Sequence, residues 1–120
     1  MKQQSPLEIA ADRARSLTGE INLAAKKTEV AEVFDLMIQA NVELGEWFER
    51  YEAELIAPIF MPCFMALGML LDALERRLQT EGGPNQGYML SVMAEIKTAL
   101  LEMVDVGRDE GTKIVDRRLS

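Results

Sequence analysis

The stretch from Leu55 to Leu71, LIAPIFMPCFMALGMLL, runs for seventeen residues without a charge in a chain of 120. At helical spacing this stretch and the residues after it resolve into two stripes. Phe60, Phe64, Leu67, Leu71, Leu74 and Leu78 follow at intervals of 4, 3, 4, 3 and 4, as one buried face of a helix requires. Met61, Met65 and Met69 recur every fourth residue, turned about 100° from the first stripe. A bundle core needs the first stripe; the second is surplus. A face of three to four turns would bury on the order of 400 Å², worth roughly 10 kcal/mol before association costs. The pattern therefore predicts a helix that is central or at a subunit interface, with Met61, Met65 and Met69 facing another polypeptide. Methionine, flexible and polarizable, suits a surface that must fit a partner.

Pro58 and Pro62 predict that the preceding helix stops near Ile56 and that the apolar helix starts at one of the two prolines. They also argue against a membrane span. The run is short of the roughly 20 residues a span requires. Its flanks, Glu52 and Glu54 before and Asp72 after, give no positive-inside cue. A lipid-inserted hairpin is a lesser reading. The N-terminal residues lack the apolar core of a signal peptide, and a cytoplasmic location is expected.

Upstream, Ser5-Pro6-Leu7-Glu8 has the form of a helix start, with Ser at the N-cap and Pro at the first helical position. Leu7, Ala10, Ala14, Leu17, Ile21 and Ala24 then form one stripe of a helix over about residues 6–26. Thr28 is placed to cap a second helix, although no Gly or Pro separates it from the first. Its stripe is Val30, Val33, Met37, Ala40, Leu44, Trp47, Tyr51 and Leu55, widened by Phe34, Ile38 and Phe48. Downstream, Glu81-Gly82-Gly83-Pro84-Asn85 marks a turn. A further helix follows over about residues 86–106, with Met89, Val92, Met93, Ile96, Leu100 and Met103 inward and Gly107 as its stop. The expected fold is an all-α antiparallel bundle of four or five helices in a single domain, with the apolar third helix central. Residues 1–5 and about 108–120 are expected to be loosely held.

Charge is unevenly distributed. The net charge is −7. Between Thr28 and Ala57 eight acids (Glu29, Glu32, Asp35, Glu43, Glu46, Glu49, Glu52, Glu54) face one base, Arg50. Elsewhere twelve acids balance twelve bases, from totals of 20 and 13. No basic stripe is present to neutralise phosphates, so nucleic acid is not an expected partner. An acidic helix favours a basic protein surface, and its plainest role is a solvated face. Trp47 and Phe48 lie within this acidic frame, where an aromatic serves either as core or as a binding anchor.

The chain has no histidine, which removes His-paired nucleophiles and imidazole-bound metal sites. The single cysteine, Cys63, lies inside the apolar run and reads as a buried structural thiol. No phosphate-binding glycine loop is present. Glu43-x-x-Glu46 and Asp72-x-x-Glu75 place two carboxylate pairs on successive helices. That spacing resembles the all-α nucleotide pyrophosphohydrolases of the MazG type, whose E-x-x-E and E-x-x-D pairs hold Mg²⁺. The resemblance implies an Mg-dependent phosphohydrolase as the alternative function. Here the second pair is reversed, and Met69 stands where a third acid belongs.

The leading expectation is a non-enzymatic, acidic helical regulator of the anti-activator, inhibitor or chaperone-like kind, without cofactor or metal. It would act as a homodimer that masks a partner protein, with a transcription regulator the expected target. Its expected contact residues are Phe60, Met61, Phe64, Met65, Met69, Trp47, Glu43 and Glu46.

Overall fold

The structure, a computed structural model, describes residues 5–119, with side chains described through Val106. The described residues form five helices: α1 (Pro6–Ala24), α2 (Val30–Arg50), α3 (Ala53–Ile56), α4 (Met61–Glu81) and α5 (Gln86–Leu119). No strand occurs among the described residues. Four helices are long and one is a single turn, so the expected all-α bundle is the one observed.

Local chemistry sets most boundaries. At the start of α1 the Ser5 hydroxyl accepts the Glu8 backbone N–H at 3.2 Å, and Pro6 occupies the first turn, where its missing N–H costs nothing. α1 and α2 are separate helices. The cap of α2 is Glu29, in extended conformation, rather than Thr28 as expected. The Thr28 carbonyl instead accepts from the Arg77 guanidinium, which also donates to the Lys27 carbonyl at 3.2 Å. One arginine of α4 thus satisfies two carbonyls of the loop between α1 and α2.

α2 ends at Arg50, six residues before the expected stop. Tyr51 and Glu52 are extended, and the chain reverses through α3. The reversal carries Ile56, Ala57 and Phe60, all fully buried, into the end of the bundle, which a continuous helix could not do. α4 then begins at Met61 with Pro62 in its first turn, as the prolines predict. Its C-cap, Gly82, has φ +70°, and Gly83 has φ +128°, values that favour glycine at this turn. The Leu78 carbonyl accepts from the Gly82 N–H at 2.9 Å and from the Gln86 side-chain amide at 2.8 Å.

α5 departs from expectation at its far end. Gly107 does not stop the helix, which continues to Leu119. A glycine inside a helix costs only about 1 kcal/mol relative to alanine, and no proline follows to enforce a stop.

α4 is the hub. It packs against α1, α2 and α5, whereas α1 packs against α4 and α2. Sequential long helices run antiparallel: Arg13 of α1 meets Glu43 of α2, Phe48 of α2 meets Phe64 of α4, and Asp72 of α4 meets Lys97 of α5. α1 and α4 run in the same direction, with Cys63 beside Ala14 and Arg77 beside Lys27. Ala10, Ala14 and Ala24 line the inner face of α1 and leave room for α4 to approach closely. The entire first stripe, from Phe60 at the N-cap of α4 through Phe64, Leu67, Leu71, Leu74 and Leu78, is buried, as are Cys63, Ala66 and Leu70. The fold measures 53 × 39 × 23 Å, two helix layers thick. One layer is α1, α4 and α5, with α4 in the middle. α2 covers one side of it, and the other side of α4 is open.

Candidate protein-binding surface

The open side of α4 carries the second stripe. Met65 is 67% exposed and Met69 73% exposed, while Met61, at the end of the row, is half-buried. Beside this ridge runs a groove of about 350 Å³ between α4 and α5, lined by Met65, Gly68, Met69, Leu71, Leu100 and Leu101 together with the charged Asp72 and Lys97. Leu101 is itself 55% exposed. Gly68 deepens the groove because it has no side chain there; an added Cβ would rest 3.8 Å from Leu100. A second groove, about 510 Å³, lies on the other flank, between α1 and the start of α4, where Ala11, Ala14, Arg15, Thr18, Ile59 and Pro62 line it. The charges near the ridge are mixed. Asp72 and Lys97 lie 3.8 Å apart, and Glu75 and Arg76 follow on the next turn of α4.

The acidic side is elsewhere. α2 buries Val33, Phe34, Met37, Ala40 and Leu44 toward the bundle. Helical geometry therefore turns the exposed Glu32, Asp35, Val42, Glu46 and Glu49 outward, away from α4. The methionine ridge and the acidic helix occupy opposite faces of the slab, not one continuous patch.

The expected contact residues accordingly divide. Met65, Met69 and part of Met61 lie on the open face. Phe60 and Phe64 do not; both are buried, because their stripe is the one that meets α2, and they belong to the core. Phe60 lies 5.4 Å from the Trp47 ring and Phe64 6.0 Å from Phe48. Trp47 is half-buried, stacked on Tyr51 at 5.6 Å with the Arg50 guanidinium 5.7 Å from its centroid. Glu46 is exposed on the acidic face. Glu43 is engaged within the chain: both its oxygens accept from Arg13 at 2.7 Å. Hydrogen bonds to Glu43, and then to Glu20, raise the arginine pKa further above its ordinary value.

The four carboxylates of the phosphohydrolase-like spacing are not brought together. Glu43 lies against α1 and Asp72 against α5, on different sides of α4. Among the described residues no three His, Cys, Asp or Glu side chains gather into a group that could hold a metal ion. Among the same residues, no helix is long and apolar enough to cross a membrane. Cys63 is buried; its thiol and the Thr18 hydroxyl, 3.1 Å apart, both donate to the Ala14 carbonyl. Burial pushes the thiol pKa up, against the lowering effect of the Thr18 contact.

Sequence reasoning missed Leu101 and the groove. The signal was the position of Leu101, which lies off the inward row of Met89, Met93, Ile96, Leu100 and Met103 on the same helix. No protein-family model, no curated protein and no solved structure matches this chain.

Proposed function

We infer that this protein is a small acidic protein-binding regulator that acts by covering a surface of a partner, in the manner of an anti-activator, inhibitor or chaperone-like protein. The observation that carries this reading is the segregation of its two surfaces. An apolar face with mixed charge lies on α4 and α5, and a predominantly acidic face lies on α2, with the bundle between them. Monomeric proteins rarely leave large apolar patches uncovered, so the α4 face is assigned to a polypeptide. The α2 face is assigned to a partner with a basic surface, drawn in by long-range attraction and covered on contact. A transcription regulator offers such a surface in its DNA-binding region, and masking that region would switch it off. Binding is favoured over Mg-dependent phosphohydrolysis because Glu43 is committed to Arg13 and its acidic neighbours diverge from Asp72 and Glu75.

The test is affinity purification from the native cell with the wild type and with Glu46→Lys/Glu49→Lys, compared by mass spectrometry. The expected result is a basic protein retained by the wild type, released by raised salt, and lost in the double variant. Equal retention by both would overturn the assignment of the α2 face.

A further inference from the structure

We propose that the occupant of the open α4 face is a second copy of this chain, seated with its Met65–Met69 ridge in the groove between α4 and α5. The proposal rests on the reading of that face as a protein-binding surface and names what binds there.

Shape is the first argument. A two-fold interface joins a patch to itself, so the patch must contain both a projection and a matching depression. Met65 and Met69 project beside a groove floored by Gly68, Leu71 and Leu100 and edged by Leu101. Each copy therefore offers the ridge that the other's groove receives, in the ridges-into-grooves manner of helix packing. α4 and α5 of one copy would close on α4 and α5 of the other as a four-helix interface.

Charge is the second argument. Two copies of a −7 chain repel least where they meet across a face whose charges balance, as Asp72 and Lys97 do at the groove. The excess lies wholly within residues 28–57, and the rest of the chain carries twelve acids and twelve bases. The open face belongs to that balanced part, and in a two-fold pair the two acidic α2 helices point outward on opposite sides. A strongly basic partner would gain little here, where Arg76 and Lys97 already stand near the ridge. The same partner would gain most on α2.

Area is the third. A stable dimer buries about 800 Å² per partner. With Met61 half-buried, the α4 ridge supplies less than the roughly 400 Å² of a fully open face. The flanking grooves and Leu101 extend the same layer across a slab 53 by 39 Å, leaving room for the remainder.

The experiment measures mass by light scattering or sedimentation over a roughly hundredfold concentration range. The wild type is expected at twice 13.4 kDa, dissociating only on dilution. Met69→Asp alters an exposed side chain and should leave the fold intact, yet weaken self-association at least tenfold. Gly68→Ala fits its own chain without a clash but shallows the groove, so it should weaken the dimer without lowering thermal stability. Glu46→Lys/Glu49→Lys should leave the dimer intact. A wild type that is monomeric at every concentration, or a dimer indifferent to both Met69→Asp and Gly68→Ala, overturns the proposal. The functional reading fails separately. If the wild type is monomeric but Met69→Asp loses a captured protein, the face binds a different chain. If neither mass nor capture responds to Met69→Asp, the face is not a binding surface at all.

Discussion

α2 and α4 have the same length, 21 residues each, and opposite distributions of side chains. α2 places its apolar face inward, Val42 excepted, and leaves its charges to solvent apart from Glu43, which is bonded to Arg13. α4 is surrounded by α1, α2 and α5, buries eight residues, and still exposes two methionines. The contrast separates two meanings of hydrophobicity. In α2 nearly all of it, Val42 apart, is consumed by the fold. In α4 it exceeds what three neighbouring helices can cover, and only that excess is available for another molecule.

The largest test of this contrast is inside α4. Phe64→Ala removes a buried ring that packs near Phe48, and should cost about 3–5 kcal/mol in urea unfolding. A loss below about 1 kcal/mol would mean that the hub does not carry the core. Next is the link between α1 and α2. Arg13→Ala leaves Glu43 without its two donors and should cost about 1 kcal/mol at low ionic strength. Because the pair is only partly buried, the loss should shrink as salt is added; a salt-independent loss would point to packing by the arginine stem instead. Gly45→Ala meets nothing within 4 Å and lies inside α2, so it should stabilise by about 0.5–1 kcal/mol in thermal unfolding. The smallest effect on the fold is expected on the open face. Met65→Asp should change the stability of the isolated chain by no more than about 0.5 kcal/mol. A larger loss, measured where the chain is monomeric, would show that the second stripe serves the core after all.

Much of this was legible in the sequence because helical periodicity is a local property. The stripe from Phe60 to Leu78 could be written down residue by residue, and every member is buried. The methionine row could be placed on a different side of the same helix for the same reason. Features that depend on how helices meet were not legible. The sequence does not say that the α2 stripe points toward α4 while its acids point away from the methionines; that follows from the packing of α2 over the opposite side of the layer. Phe60 and Phe64 were expected at a partner surface because they share a run with the methionines, yet helical angle, not proximity in sequence, decides which side they face. The Arg13–Glu43 pair spans 30 residues and leaves no local trace. Helix ends are legible where the chemistry is explicit, at Ser5 and the Gly82-Gly83 turn, whereas Arg50 ends α2 for a tertiary reason and Gly107 ends nothing.

The thiol of Cys63 sits where α1 lies against α4, held to the Ala14 carbonyl at 3.0 Å and shut off from solvent. An alkylating reagent can reach the sulfur only after that seam parts. With one cysteine in the chain, the labelling rate is a clock for a single event, the departure of α1 from the hub. Ala14 and Thr18 also line the groove on that flank of α4, so a polypeptide seated across the methionine face would clamp the same seam and slow the clock.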